Sequence, residues 1–154
     1  MFYLIKKIKT WFDCLLGLGK EENYFITRLV FLRALGFIYL CVFVPLIFQY
    51  NALIGEDGLL PISKYLERIA SYYPTLFDKI IGLPTLFWLN TSNTLAYFLI
   101  VLGIILAVLL MLGFANLLMV AVLWLLQLSF VHVGQDFWSF GWETNLLEIT
   151  FLAI

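Results

Sequence analysis

The feature that most constrains the fold is the segment "LAYFLIVLGIILAVLLML" at residues 95–112, which carries no charged side chain. A helix needs roughly 20 apolar residues to cross the hydrocarbon core of a bilayer, and this segment is close to that length. Hydrophobic residues make up 64% of the 154 residues and charged residues 12%, whereas a soluble domain is about half apolar and about a quarter charged. The sequence therefore predicts an all-α integral membrane protein, built as a multi-span helical bundle.

Four apolar segments are candidates for membrane spans. They lie at about residues 29–48, 95–112, 114–133 and 146–154. The last segment reaches Ile154 without a Gly, Asn, Pro or basic residue of the kind that ends a helix. We therefore expect the sequence to break off inside the fourth span, with a further part of the protein downstream.

Two segments lie outside these spans. In residues 1–27 apolar side chains recur at helical spacing with lysines between them, which is typical of an amphipathic helix on a membrane surface; a disordered tail is the alternative. The connection at residues 50–94 is predicted to be partly helical, and it must lie at the interface or be covered by protein because irregular backbone cannot face lipid. The predicted domains are a juxtamembrane segment at 1–27 and a transmembrane bundle at 28–154.

Basic residues set the predicted orientation. Lys and Arg are most frequent before the first span and absent from the turn at Gly113 and from the region after Val133. Because basic residues tend to stay in the cytosol, we expect the N-terminus and Gly113 to be cytosolic and residues 50–94 to be lumenal or external. The net charge of −1 and the scattered basic residues give no basis for nucleic acid as a partner. The lipid bilayer is the expected partner.

The stretch "QYNALIGEDGLLPISKYL" at residues 49–66 contains a predicted turn. Gly55 and Gly58 bracket two acids, as expected of a tight turn that needs unrestricted backbone angles. Pro61 suits the start of a short helix. The oxygen ligands are too closely spaced for a helix-loop-helix calcium site. We therefore predict a structural turn that holds no metal and no cofactor.

Arg33, Asn116 and Gln127 are polar residues that lie within the first three predicted spans. An ionisable group at membrane depth is a functional candidate, although the long stem of Arg33 can also carry its charge to the interface. Arg33 and Asn116 are predicted at similar depth, so we expect the guanidinium to meet this amide or a nearby carbonyl. Asn116 and Gln127 share a helix face and are predicted to hold helices together.

The start of the fourth span carries two glutamates. Glu143 precedes the predicted first turn, where a carboxylate meets the positive end of the helix dipole, so a role as a terminal charge suffices for it. Asn145 and Glu148 are three apart and share a face. Glu148 lies deeper, and we predict that it turns inward, because an unpartnered buried carboxylate costs roughly several kcal/mol.

The expected partners of Glu148 are polar residues at the lumenal ends of the other spans. With Glu148 they form a predicted polar lumenal cluster, which consists of Gln49, His132, Gln135 and Glu148. Two roles for this cluster remain open at this point: anchoring of the mouth of the bundle, and binding of a client protein or a small molecule.

Two longer stretches carry a resemblance to a known family. They are "TRLVFLRALGFIYLCVFVPLIFQYNALIGEDGLLPISKYL" at residues 27–66 and "GQDFWSFGWETNLLEITFLAI" at residues 134–154. In this order and separation they resemble the N-terminal transmembrane part of the lipase maturation factor family, which has a similar first span, an "LIG-x-x-GLLP" loop and an "SF-x-W-x-x-x-LLE-x-x-FL" start of a later span. The resemblance covers about residues 24–154.

This resemblance implies a membrane protein that assists the folding or assembly of secreted lipases or other exported proteins. In a eukaryote it implies the endoplasmic reticulum membrane, and in a bacterium the inner (plasma) membrane. Vertebrate members of the family act largely through a lumenal C-terminal domain. A client is therefore expected to meet a part of the protein downstream of this sequence.

Two alternatives belong to other functional classes. The multi-span architecture and the "GLLP" loop distantly resemble the vitamin K-dependent carboxylase group, and such an enzyme needs a lysine or histidine base in a lumenal pocket. His132, Lys64 and Lys79 are the candidates, and none lies in a motif that matches. The other alternative is a transporter or an uncharacterised membrane subunit. Folding assistance is favoured over both, because two motifs support it.

The predicted orientation can be tested by cysteine labelling. A Glu56→Cys variant, made with Cys14 and Cys41 replaced by serine, should react with a membrane-impermeant maleimide only from the lumenal or external side, because the basic residues before the first span hold the N-terminus in the cytosol. The same background without Glu56→Cys controls for nonspecific labelling. Labelling only from the cytosolic side would overturn this orientation.

Overall fold

The computed structural model describes residues 24–114, 117–138 and 140–154. Every regular element within these ranges is helical, which confirms the predicted all-α class. The α-helices are α1 (Tyr24–Leu53), α2 (Ile62–Ala70), α3 (Leu76–Gly82), α4 (Asn93–Leu112), α5 (Leu117–Val133) and α6 (Gly141–Ala153), and two 3₁₀ turns lie at Leu86–Trp88 and Gln135–Trp138. The predicted amphipathic segment lies outside the described residues, apart from the first residues of α1.

The long helices coincide with the predicted apolar segments. Two of them, α1 and α4, contain stretches long and apolar enough to cross a membrane, at Ile26–Leu53 and Asn93–Leu112. The third, α5, is apolar but shorter, with 17 residues. α6 begins at Gly141, before the predicted start at residue 146, so that the two glutamates both lie within the helix.

Buried side chains of α1 form one stripe along the helix. They recur every three or four positions, from Leu32 through Tyr39 and Leu46 to Tyr50, and this is the spacing of a single helix face. Exposed residues such as Phe37 lie on the opposite face of the same helix. The stripe packs against α4, and this pair forms the core of the bundle.

Gly36 sets how closely α1 and α4 approach. A Cβ added at Gly36 would stand 2.8 Å from the amide nitrogen of Met111 and 2.9 Å from the carbonyl oxygen of Ala107. Both are backbone atoms, which cannot move aside as a flexible side chain can. Further along the same contact, a Cβ at Gly103 would stand 2.8 Å from the ring of Phe43. The helix pair therefore depends on small residues on both sides.

Two hydrogen bonds fix α6 against its neighbours. The Tyr39 hydroxyl of α1 donates to Thr150 Oγ1 at 2.8 Å, and both residues are fully buried. From the other side, the indole N–H of Trp124 in α5 donates to the carbonyl of Leu147 at 3.1 Å. Because α6 is held from two sides, its rotation about its own axis is set.

The connection between α1 and α4 is partly helical, as predicted, and it folds back onto the bundle. The Thr85 hydroxyl donates to the carbonyl of Ser129 in α5 at 3.2 Å, and the Ser129 hydroxyl accepts from the backbone N–H of Leu86 at 3.1 Å. Phe87 is buried and packs edge-on against Phe130, with ring centroids 5.3 Å apart. The connection is thus anchored to the C-terminal half of α5.

The outer surface of the helices is also apolar. Phe48 is 81% exposed, and Phe37, Phe98 and Ile105 are exposed as well. Soluble monomers rarely show contiguous apolar patches of large area, whereas side chains of this kind suit contact with lipid tails. The surface therefore agrees with the predicted membrane environment.

The close approach at Gly36 predicts that Gly36→Ala destabilises the bundle. Alanine favours a helix interior over glycine by about 0.5–1 kcal/mol, but forcing extra atoms into a packed core costs about 1–3 kcal/mol. Because the steric cost is the larger, we expect a lower midpoint of thermal unfolding in detergent. Gly141→Ala is the matched control, since a Cβ there meets no atom within 4 Å. Equal midpoints for the two variants would contradict the packing described.

Candidate functional site

The polar and aromatic residues of interest gather at one end of the bundle, which we call the loop end. It comprises the C-terminal ends of α1 and α5, the N-terminal ends of α4 and α6, the connection at residues 54–92, and the described residues 134–138 and 140. Both distinctive sequence stretches, "LIGEDGLLP" and "GQDFWSFGWETNLLE", lie there. The loop end is therefore the candidate functional site.

The "GLLP" segment folds back over the last turn of α1. Leu59 N–H donates to the Ala52 carbonyl at 3.0 Å, and Leu60 N–H donates to the Leu53 carbonyl at 2.8 Å. Pro61 then stands at the N-cap of α2, as its position in the sequence predicted. These bonds satisfy carbonyl groups at the helix end that otherwise lack donors.

Gly55 and Gly58 are needed for close contact, and the predicted reason for them was wrong. Neither has a positive φ. A Cβ at Gly55 would lie 2.7 Å from Asn51 Oδ1, and a Cβ at Gly58 would lie 2.9 Å from the backbone nitrogen of Gly55. The turn is packed so tightly against the end of α1 that there is no space for a side chain at either position.

A reciprocal pair of hydrogen bonds joins this turn to the start of α4. Asn93 N–H donates to Glu56 Oε1 at 3.2 Å, and Glu56 N–H donates to Asn93 Oδ1 at 3.2 Å. The Ser92 hydroxyl caps the same helix by accepting from Leu95 N–H at 3.3 Å. The Glu56 carboxylate thus lies at the positive end of the α4 dipole, where a negative charge is stabilising.

Gln135 joins the two distinctive stretches to each other. Its side-chain amide donates to the carbonyl of Leu60 at 3.0 Å, across 75 positions of sequence. Its backbone φ is 50°, and Gln135 is the only non-glycine residue in the described part of the chain with a positive φ. This conformation is uncommon for a residue with a Cβ, so the surrounding contacts hold Gln135 in place.

Glu143 is the buried carboxylate of the loop end. Its side chain is 3% exposed, and its Oε2 atom has no hydrogen-bond partner among the described residues. It lies in the first turn of α6, whereas the sequence prediction placed it just before the first turn. Burial raises the pKa of the Glu143 carboxyl, because the charged form loses its hydration. Glu143 is therefore more than a solvent-facing terminal charge.

The prediction that Glu148 turns inward was wrong, since Glu148 is exposed. α6 buries Glu143, Leu146, Leu147 and Thr150, which are spaced as one face of a helix. Glu148 lies five positions after Glu143, about 140° around the axis at roughly 100° per residue. Asn145 does share a face with Glu148, but that face is the exposed one.

The predicted polar lumenal cluster does not form as a unit. Gln135 bonds to the Leu60 carbonyl, and His132 Nδ1 lies 2.8 Å from the carbonyl of Leu128 in its own helix. Gln49 is the one proposed partner that lies near a buried carboxylate, because Gln49 and Glu143 line the same pocket. The sequence prediction placed the buried carboxylate at Glu148, whereas in the structure it belongs to Glu143.

This pocket lies between α1 and the segment that leads into α6. Its volume is about 370 Å³. On one side it is lined by the α1 residues Cys41, Pro45 and Gln49, and on the other by Trp142 and Glu143; Phe137 and Trp138 complete the lining. Pockets of this volume and mainly apolar lining are typical of small-molecule sites.

Arg33 lies at the opposite end of the bundle. A Cβ added at Gly113, which has φ 102° and ends α4, would stand 3.2 Å from Arg33 Nη2. The guanidinium therefore lies over the C-terminal end of α4, where a positive charge is stabilising. The predicted contact of Arg33 with Asn116 involves a residue outside the described ranges.

Gln127 is fully buried in α5, but it does not act as predicted. Neither its amide nitrogen nor its amide oxygen has a hydrogen-bond partner among the described residues. Among the described residues, Gln127 thus does not form the expected hydrogen bond between helices. Within the described ranges there is also no group of three His, Cys, Asp or Glu residues placed to hold a metal ion.

The comparisons with known proteins agree on one family. The family model for the lipase maturation factor transmembrane domain matches residues 26–154. Lipase maturation factor 1 of Bos taurus is 40% identical over 142 residues, which cover 88% of this chain and 25% of the relative. Lipase maturation factor 1 of Homo sapiens is 39% identical, covering 86% and 24%, and lipase maturation factor 2 of Gallus gallus is 35% identical, covering 82% and 18%.

No solved structure matches the chain. The chain spans about a quarter or less of the length of these curated relatives. The matched residues include all of α4, α5 and α6 and nearly all of α1. They also include both sequence stretches on which the resemblance rested, and the resemblance is thereby confirmed. The chain belongs to the lipase maturation factor family, and its residues 26–154 match the transmembrane domain of that family.

Proposed function

We propose that this chain is the membrane-embedded part of a protein that assists the folding or assembly of secreted lipases or other exported proteins. Family membership supports the role, since the relatives are named lipase maturation factors. The observation that carries it furthest is the bond between Gln135 and Leu60, which joins the two family-like stretches into one surface. In this proposal a eukaryotic protein lies in the endoplasmic reticulum membrane, with its N-terminus in the cytosol.

The loop end faces the lumen in this orientation, and there it is available to a folding client or to a downstream domain. Two features support a role beyond anchoring. Glu143 has an unpartnered buried oxygen, which lowers stability, and a group that costs stability is more readily explained by function. Glu143 also lines the adjacent pocket, so a buried carboxylate borders a cavity.

The contacts of the candidate bases do not favour the carboxylase-like alternative. His132 is bonded within its own helix, and Lys79 Nζ lies 5.6 Å from the ring centroid of Trp88. Neither His132 nor Lys64 nor Lys79 lines the pocket that contains Glu143. The one ionisable oxygen placed there belongs to a carboxylate, so the folding-factor role is the better supported.

The role can be tested in cells that lack their own lipase maturation factor. The full-length protein is expressed there together with a secreted lipase, and lipase activity per mass of secreted lipase is measured in the medium. We expect the specific activity to rise, because a folding factor increases the active fraction of its client. Unchanged specific activity, with the protein present in the membrane at normal abundance, would refute the proposal.

A matched pair of variants tests the part played by the loop end. Glu143→Gln should leave abundance at or above the wild-type level, because it removes a buried charge without a partner, and it should lower lipase maturation. Glu148→Gln is the control: the same chemical change on the exposed face of α6 should alter neither quantity. If Glu143→Gln lowers abundance, Glu143 anchors the bundle; if neither quantity changes, the carboxylate has no part in maturation.

A further inference from the structure

The pocket beside Glu143 combines one charge with an otherwise neutral lining. Among the described residues that line it, Glu143 is the only one with a charged side chain. Its Oε2 atom is buried and unpartnered, so the carboxylate has an unused hydrogen-bond acceptor. A ligand that carries a positive charge and N–H donors would satisfy that acceptor and offset the cost of burying it.

Other acceptors lie along the α1 side of the pocket. Pro45 has no N–H, so the carbonyl of Cys41, four residues earlier, lacks its usual helical donor, and both residues line the pocket. The side-chain carbonyl of Gln49 is a further acceptor on the same helix. A group with several N–H donors fits such a set better than one with none.

The aromatic walls also favour a cation. Phe137, Trp138 and Trp142 line the pocket, and the faces of aromatic rings, those of tryptophan most of all, attract ammonium groups. Trp142 is 51% exposed, so the pocket opens to the outside of the bundle. A ligand can therefore enter from the side, where lipid surrounds the helices.

The position of the pocket favours a lipid headgroup as the source of the cation. The pocket runs along α1 from Cys41 to Leu53, the last residue of that helix, and Glu143 borders it at the start of α6. The ends of membrane helices lie at the level of lipid headgroups, where tryptophan is enriched. We infer that this pocket binds the primary ammonium of an amine-bearing phospholipid such as phosphatidylethanolamine, with Glu143 as its counter-ion. The bound ammonium donates to Glu143, and the acyl chains remain in the bilayer.

The purified full-length protein in detergent tests this inference by native mass spectrometry. The protein is incubated with an equimolar mixture of phosphatidylethanolamine, phosphatidylcholine and phosphatidylglycerol of equal chain length. The bound lipid is then identified from the mass that it adds to the protein. We expect about tenfold more phosphatidylethanolamine than phosphatidylglycerol, a difference of about 1.4 kcal/mol, because the carboxylate attracts the ammonium and repels the anionic lipid. Phosphatidylcholine, whose nitrogen has no N–H, should bind less than phosphatidylethanolamine.

Two variants locate the binding. Glu143→Gln should bring the ratio of phosphatidylethanolamine to phosphatidylglycerol close to one, whereas Glu148→Gln should keep the wild-type ratio. Trp142→Ala removes an exposed wall of the pocket and should also reduce binding of phosphatidylethanolamine. Circular dichroism establishes that each variant is folded, and if Glu143→Gln fails to fold, Trp142→Ala and the wild-type selectivity decide the question.

Several outcomes would overturn the inference. They are equal binding of phosphatidylethanolamine and phosphatidylglycerol by the wild type, equal binding of phosphatidylethanolamine and phosphatidylcholine, and an unchanged ratio in Glu143→Gln. Displacement of the lipid by ethanolamine at the same concentration would show that the ligand is a soluble amine. The measurement uses no lipase, so its failure is distinguishable from failure of the proposed function.

Discussion

The close contact between α1 and α4 is the constraint on which the rest of the fold depends. At Gly36 the two backbones approach so closely that a single methyl group would overlap the atoms of α4. At the other end of the same helix pair, the last turn of α1 leads into the turn where Glu56 exchanges hydrogen bonds with Asn93 in the first turn of α4. The loop end is therefore built on this helix pair.

The helical architecture was predictable because it follows from local properties of the chain. Long apolar segments have few alternatives to a helix in lipid, and Pro61 marked a helix start correctly. The predicted start of α6 at residue 146 was too late. The prediction began the helix with the apolar run, and the preceding residues Gly141, Trp142 and Glu143 are not a continuous apolar stretch. The helix begins after Phe140, which stands at the N-cap without a side-chain capping hydrogen bond, so no capping residue marked this start in the sequence.

The sequence prediction chose the wrong glutamate as the buried one. It compared how far each glutamate lies along the apolar segment, whereas burial depends on which face of the helix the residue occupies. Along the sequence Glu148 lies further into the apolar segment, but Leu146, Leu147 and Thr150 define the buried face. Projecting that face back by one turn leads to Glu143, so the signal was present in the sequence. The pocket itself was not predictable, because residues distant in sequence, such as Gln49 and Trp138, line it together only through tertiary packing. The same holds for Gly55 and Gly58, whose need for close contact shows only in three dimensions.

The two charged residues beside the ends of α4 have a consequence for the direction of that helix. Glu56 bonds to its first turn, and the guanidinium of Arg33 lies over its last residue. Both come from α1 or the turn that follows it, and each has the sign that the adjacent pole of the α4 dipole favours. If α4 were inserted the other way round beside α1, both charges would meet a pole of their own sign. The two charges therefore stabilise α4 in the antiparallel orientation beside α1 and destabilise the parallel one.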